Sequence, residues 1–235
     1  MTKISLILPV RNEEKTITNF INRILEDMRN LNLELIVVCN GCKDKTYERC
    51  QVFRNKIKLI SLKYSGKGRA IIKGLENCTG NIIGFTDGDG SYSTETIKKI
   101  INEIIKNNYD VLIGSRWKNK NFFQVKESFK RKIFSRLWFF FVKLFLGLKI
   151  KDTQAGIKFF SKYAIDSINK NFISKGYEFD VELLLKLKNK GFKINEIAVE
   201  PTKYSSGALN LKNTISMFKN LIEIWYYYKI KGVKS

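Results

Sequence analysis

Two carboxylates stand one residue apart in the segment Asp87-Gly88-Asp89, a D-x-D pattern directly after the apolar run from Ile82 to Phe85. Such a pair at the end of a buried strand offers the oxygen ligands that Mg²⁺ or Mn²⁺ prefers, and the adjacent glycines let a bulky phosphate group approach the backbone. An EF-hand is excluded, because its sixth and twelfth positions would be Tyr92 and Lys98. An acidic turn is the simpler alternative. The pattern favours a divalent metal bound together with a diphosphate.

Cations follow two other predicted strands. The segment from Ser65 to Arg69 is rich in glycine and contains Lys67, but it matches neither a Walker A loop nor G-x-G-x-x-G. Its cations could still steady a diphosphate. Arg116 closes another apolar run, and a guanidinium there can bind a phosphate through two parallel N–H bonds. A plain surface arginine is the alternative.

The chain has no histidine, which excludes a Ser-His-Asp triad, a Cys-His pair and any His-ligated metal. Cys39 and Cys42 form a C-x-x-C without a second such pair, so an ordinary turn is favoured over a zinc or redox site. Four cysteines fit a reducing compartment, and the first residues read as a strand instead of a signal peptide. We therefore expect a cytoplasmic protein.

The positive charge is concentrated in one region. The formal net charge is +21, and residues 116–151 hold eleven basic residues against one acid, Glu127. This excess predicts an anionic partner, either nucleic acid or an acidic membrane surface, with a solvated basic face as the alternative.

Apolar runs at residues 4–8, 35–38, 57–62, 82–85 and 111–113 alternate with helical patterns. This alternation predicts an α/β fold with a mostly parallel sheet and helices on both faces, and right-handed crossovers bring the loops after the strands to one edge. We expect one domain over residues 1–210 and a C-terminal amphipathic helix over residues 211–235.

The segment at about 130–148 is aromatic and apolar on nearly every helical face, with cations at both ends. It is too short for the ~20 residues that span a bilayer. The composition favours a helix lying in the membrane interface, which would make the protein peripheral to the cytoplasmic face of the membrane. A buried core helix is the alternative, because periodicity cannot separate the two.

Seven short motifs occur in an order that resembles family 2 glycosyltransferases of the dolichyl-phosphate mannose and dolichyl-phosphate glucose synthase type. They are Pro9–Glu14, Asn40–Thr46, Gly66–Gly68, Asp87–Gly90, Gly114–Arg116, Asp152–Gly156 and Glu178–Glu182. The resemblance covers nearly the whole chain. It implies a GT-A fold, a nucleotide-sugar donor, Mg²⁺ or Mn²⁺, a polyprenyl-phosphate acceptor at the membrane surface, and hexose transfer with inversion.

The resemblance also implies roles for individual residues. Asp87, Asp89 and Ser91 would hold the metal, and Asp87, Asp89 and Arg116 would be the catalytic group. The donor would be bound by Pro9, Arg11, Asn12, Glu13, Asn40, Lys67, Arg69, Asp87 and Gly88. Arg116, Arg131 and Ser135 would hold the acceptor phosphate.

This chain departs from the family pattern in three places. Cys39-Asn40-Gly41-Cys42 replaces the usual Asp-Asp-Gly-Ser, which leaves GDP and UDP donors both open. Ser91 stands where mannose synthases often have a glutamine, which argues against a strict mannose synthase. The C-terminal transmembrane helices of some members are missing, so the aromatic helix becomes the expected membrane contact.

Three other functions fit parts of the sequence. The nearest is transfer to a soluble or cell-wall glycan, with Glu178, Asp180 or Glu182 as the base. A nucleic-acid-binding module explains the charge but not the acid pair, so we expect no nucleic-acid partner. An inactive scaffold at the membrane is the third, suggested by the altered Cys39–Cys42 turn.

Overall fold

The computed structural model describes residues 2–202 and 211–233, with side chains left undescribed at 211–215. Its strands are β1 (Ile4–Val10), β2 (Leu33–Asn40), β3 (Lys58–Leu62), β4 (Ile82–Thr86), β5 (Val111–Ser115), β6 (Ile157–Ser161) and β7 (Ile194–Ala198). Its helices are α1 (Ile17–Asp27), α2 (Thr46–Gln51), α3 (Lys67–Leu75), α4 (Thr94–Lys106), α5 (Phe129–Leu146), α6 (Lys162–Asp166), α7 (Phe179–Asn189) and α8 (Leu211–Trp225), and a π-helical turn (Tyr226–Ile230) follows α8. The predicted domain boundary at residue 210 lies outside the described residues.

The strands form a seven-stranded sheet in the order β3-β2-β1-β4-β6-β5-β7. All neighbouring pairs are parallel except those made by β6, which runs antiparallel to both β4 and β5. The expectation of a mostly parallel sheet is confirmed. Because six strands point the same way, the loops after β1, β2, β3, β4 and β5 meet at one edge.

No strand is predicted from the sequence after residue 113, so β6 and β7 are additions. In β6 the apolar run is interrupted by Lys158, which is fully buried. Because a lysine is not expected in a buried strand, the sequence does not show the apolar pattern that predicts one. Strand β7 lies at the sheet edge, and every residue in it is only partly buried. Its pattern therefore lacks the continuous apolar character of the central strands.

Helices cover both faces of the sheet, as predicted. On one face the core is built with residues of α1 and α4, such as Ile21 and Ile101. On the other face it is built with residues of α3, α5 and α7, such as Ile71, Val142 and Leu184.

Helix α5 has one buried face and one exposed face, so it is packed on the core along one side, and its contact with a membrane stays a prediction for the other side. Trp138, Val142 and Leu146 belong to the core, and the Trp138 indole N–H donates to Thr153 Oγ1 at 3.1 Å. The opposite face exposes large apolar side chains at Phe129, Ile133, Leu137, Phe140 and Leu144. Within the described residues, no helix has both the length and the hydropathy needed to cross a bilayer.

Helix α8 packs against α5 through aromatic contacts. The ring centroids of Phe218 and Trp138 lie 5.6 Å apart, and those of Phe218 and Phe141 lie 5.1 Å apart. Leu221 and Ile224 are fully buried. The C-terminal segment is thus attached to the core through α5.

We predict that Gly84→Ala destabilises the fold by about 2 kcal/mol, because overpacking a filled core forces side chains to shift. Gly84 pairs with Phe159 of β6, and a Cβ at position 84 would lie 2.3 Å from the Phe159 ring. Urea denaturation measures the loss. Since Phe159→Leu makes room for the methyl group, the double variant should lose less than the sum of the single variants, and strict additivity would contradict this packing.

Candidate active site

A cavity of about 690 Å³ opens at the edge of the sheet where the parallel strands end. It gathers most of the residues predicted from the sequence, which are Pro9, Arg11, Glu13, Asn40, Lys67, Asp87, Gly88, Asp89, Ser91, Arg116 and Arg131. These residues come from the loops after five strands and from the start of α5. The convergence of these loops at one site is what the parallel topology requires.

The turn around Asn40 forms one side of the cavity. Asn40 is buried; its amide N–H donates to the Val10 carbonyl at 2.8 Å, and its side-chain oxygen accepts from the Gly66 N–H at 3.1 Å. This one side chain therefore joins the loops after β1, β2 and β3. Asn12 has a φ of 55° and accepts a hydrogen bond from the Lys43 N–H at 2.9 Å.

The two carboxylates of the D-x-D motif lie in the cavity with different neighbours. Asp89 Oδ1 accepts hydrogen bonds from the Ser91 N–H at 2.8 Å and from the Ser91 hydroxyl at 2.6 Å. Asp87 lies against Gly156, whose carbonyl accepts the Asp87 N–H at 2.9 Å. A Cβ at Gly156 would lie 1.8 Å from Asp87 Oδ2, so only glycine leaves room for that carboxylate.

A chain of alternating charges runs from Asp87 into the core. The Lys67 ammonium group lies 2.7 Å from Asp87 Oδ1 and 3.9 Å from Asp180 Oδ2, and Lys158 lies 2.7 Å from Asp180 Oδ1. Burial alone would lower the pKa of Lys67, but the two carboxylates outweigh it and raise that pKa, so the ammonium stays charged. Burial lowers the pKa of Lys158 despite its contact with Asp180.

The carboxylates present fit a hard divalent metal that shares its coordination with a ligand. Among the described residues no group of three His, Cys, Asp or Glu side chains converges to enclose a metal by itself. Asp87 and Asp89 do line one cavity. Mg²⁺ is commonly held by one or two carboxylates together with substrate phosphate oxygens and water, and this pair supplies the protein's part of such a shell.

Arg116 is held by two carboxylates. Asp152 binds it side-on, accepting from Nε at 2.7 Å and from Nη2 at 2.8 Å, and also accepts the Arg116 backbone N–H at 2.9 Å. Glu127 accepts from Nη1 at 2.7 Å. Burial alone would lower the pKa of Arg116, but Asp152 and Glu127 outweigh this effect and raise that pKa above its usual value. Burial would likewise raise the pKa of Asp152, and Arg116 lowers it instead.

The three acids considered as a catalytic base are all engaged away from the cavity surface. Asp180 pairs with Lys158, and Glu178 accepts the Gly176 N–H at 3.1 Å. Glu182 is fully buried and accepts from the Ser174 N–H at 2.8 Å and from the Tyr228 hydroxyl at 2.6 Å. None of these three acids is among the described residues that line the cavity. Glu178 and Glu182 fasten the segment before α7, which contributes Gly176 and Tyr177 to the cavity wall.

Three of the predicted site residues do not line this cavity. Asn12 holds the adjacent loop through Lys43, as described above. Ser135 lies one helical turn beyond Arg131 on α5. Arg69 lines a separate groove of about 420 Å³ with Lys63, Tyr64 and Lys175.

Sequence reasoning assigned no role to Asp152, Gly156 or Glu127, although all three touch the key side chains. Asp152 and Gly156 lie in one of the motifs that carried the family resemblance, so a signal for them was present. For Glu127 the only signal in the sequence was its position as the lone acid in a basic region. Its contact with Arg116 depends on the path of the loop before α5.

Comparison with known proteins shows the family to which the chain belongs. Residues 5–168 match the family described as Glycosyl transferase family 2. A UDP-N-acetylglucosamine–dolichyl-phosphate N-acetylglucosaminyltransferase of Methanococcus voltae is 31% identical over 86% of this chain and 87% of its own length. Dolichyl-phosphate beta-glucosyltransferase ALG5D of Trichomonas vaginalis is 28% identical over 97% of this chain and 74% of its own length. A dolichol-phosphate mannosyltransferase of Pyrococcus furiosus is 29% identical over 98% of this chain and 65% of its own length.

Solved structures support the fold. Glucosyl-3-phosphoglycerate synthase of Mycobacterium tuberculosis, crystallised with Mn²⁺, UDP and its product, superposes with a TM-score of 0.71 at 18% identity, covering 96% of this chain and 79% of that one. Mannosyl-3-phosphoglycerate synthase of Rubrobacter xylanophilus gives a TM-score of 0.74 at 15% identity, covering 98% of this chain and 75% of that one. The expected GT-A fold is confirmed. With the family match extending over most of its length, the chain belongs to glycosyltransferase family 2.

Proposed function

We propose that this chain transfers a hexose from a nucleotide sugar to a polyprenyl phosphate, with inversion at the anomeric carbon and with Mg²⁺ or Mn²⁺ bound at Asp87 and Asp89. The observation that carries the proposal is one cavity that contains a carboxylate pair suited to a metal-bound diphosphate together with Arg116 and Arg131, which suit a second phosphate. The dolichyl-phosphate transferases among its relatives support the choice of acceptor.

The residues of the chain divide the work between donor and acceptor. A metal at the two aspartates would act as a Lewis acid that neutralises charge on the departing diphosphate. Lys67 stays protonated beside Asp87 and places a second positive charge there. An acceptor phosphate oxygen attacks the anomeric carbon, the bond from that carbon to the diphosphate oxygen breaks, and the nucleoside diphosphate leaves with the electron pair. This single displacement inverts the anomeric centre.

The acceptor explains why the cavity needs no general base. A phosphate is already an anion, so no proton has to be removed before it attacks. A sugar hydroxyl would need a base, and Glu178, Asp180 and Glu182 are all committed to other contacts. This favours a lipid phosphate over a soluble glycan. Labelled hexose that partitions into organic solvent only when polyprenyl phosphate is supplied would separate the two acceptors.

We further propose that the exposed face of α5 lies against the membrane. Phe129, Ile133, Leu137, Phe140 and Leu144 recur every three or four residues and so form one apolar stripe. The stripe begins in the first turn of α5, the end of the helix that also supplies Arg131 to the cavity wall. A membrane surface against the stripe would therefore lie near the end of α5 that borders the cavity.

We predict that Asp89→Ala lowers transfer by roughly a thousandfold while leaving the fold intact, because the metal loses one of its two carboxylates. Initial rates with UDP- and GDP-sugars, Mn²⁺ and a polyprenyl phosphate measure the loss, and circular dichroism checks the fold. Asp166→Ala is the matched control, since Asp166 pairs only with surface lysines in the described contacts. Near-normal activity of the Asp89 variant would refute the metal assignment.

We predict that the double variant Phe140→Ser, Leu144→Ser binds vesicles containing acidic phospholipid roughly tenfold or more weakly, because two large apolar side chains no longer enter the interface. Co-sedimentation with vesicles measures the binding. Val52→Ser is the control, since Val52 is 79% exposed but lies at the end of α2. Equal losses in both variants, or no loss in either, would contradict the assignment of this face.

A further inference from the structure

The guanidinium of Arg116, on the acceptor side of the cavity, is already bound by two carboxylates. Arg116 contacts both Asp152 and Glu127. The Asp152 and Glu127 side chains are only 1% and 2% exposed, so solvent screens them weakly. A phosphate that binds Arg116 would therefore have to take the place of one of these carboxylates.

The two carboxylates differ in how firmly they are held. Asp152 makes three hydrogen bonds to Arg116, including one from its backbone N–H, and is a fixed part of the site. Glu127 makes one hydrogen bond to the guanidinium, at 2.7 Å, and lines the cavity. It lies in the irregular segment between β5 and α5. Glu127 is therefore the partner that an incoming anion can replace.

Resting on the function proposed above, we infer that Glu127 is a specificity residue that occupies the acceptor phosphate's place on Arg116 until a polyprenyl phosphate displaces it. A carboxylate and a phosphate both match the guanidinium donors, so each can satisfy Nη1 in turn. Free phosphate has no lipid chain, so its free energy of binding is too small to displace Glu127. A polyprenyl phosphate adds the burial of its chain along α5 to the same exchange.

Glu127 can turn away from Arg116 without breaking a helix or a strand. It stands just before Ser128, the residue that precedes the first turn of α5, and that turn contains no acid. A carboxylate in this position is stabilised by the helix dipole, also after it leaves Arg116. The segment around it stays anchored, because Val125 is buried and Lys120 and Lys126 pair with the half-exposed Glu200.

Glu127→Gln tests the inference, because it keeps the side-chain size and removes the charge. Calorimetry with farnesyl phosphate, a soluble short-chain probe, should give roughly tenfold tighter binding to this variant than to the native chain. Inorganic phosphate should inhibit transfer competitively with the acceptor in the variant and have little effect on the native enzyme. Glu200→Gln is the matched control, because it loosens the same segment without touching Arg116. It should change neither the affinity for farnesyl phosphate nor the inhibition by inorganic phosphate.

Each other outcome is decisive. If Glu127→Gln binds farnesyl phosphate equally or more weakly, Glu127 merely supports Arg116 and the inference is wrong, even where the native enzyme transfers hexose to the lipid. If both Gln variants tighten binding, segment mobility and not the Glu127 charge controls the site, which also overturns it. If Glu127→Gln tightens binding yet neither form transfers hexose to a polyprenyl phosphate, the anion site stands and the proposed reaction falls.

Discussion

The site depends on a row of opposite charges that connects four elements of the fold. Asp87 follows β4, Lys67 begins α3, Asp180 lies in the first turn of α7, and Lys158 is buried within β6. Each charge inside the protein requires its neighbour, since an unpaired buried ion is costly. Removing Lys67 leaves Asp87 without its ion-pair partner, and removing Asp180 does the same to Lys158. This mutual requirement fixes where the first carboxylate of the D-x-D motif can lie.

Much of this architecture follows from local sequence pattern. The first five strands are built around short apolar runs, and the acidic pair and Arg116 directly follow two of them, so a parallel sheet brings them to one edge. The resemblance to known enzymes added the roles of the individual residues. The family and the fold were therefore predictable before any coordinates, while metal binding, inversion and the membrane contact stay predictions.

The remainder depends on contacts that no local pattern contains. Strand β6 lies between β4 and β5 in the sheet although it follows both in the chain. Its buried lysine interrupts the apolar pattern by which a strand is predicted. Lys67 and Arg69 are separated only by Gly68, but helical residues two positions apart point about 200° away from each other. Of the two, Lys67 lines the cavity and Arg69 lines the separate groove. The contact between Glu127 and Arg116 is set by the path of an irregular segment, which side-chain periodicity does not encode.

The reversed strand β6 also sets a length scale. Asp87 and Arg116 follow strands that flank β6, and adjacent strands lie about 4.8 Å apart, so the two ends are separated by roughly 10 Å. The stretch leading into β6 fills this gap, touching Asp87 through Gly156 and Arg116 through Asp152. Backbone hydrogen bonds make the spacing rigid. The sheet thus holds the carboxylate that follows β4 and the guanidinium that follows β5 at a fixed separation, whatever ligand enters the cavity.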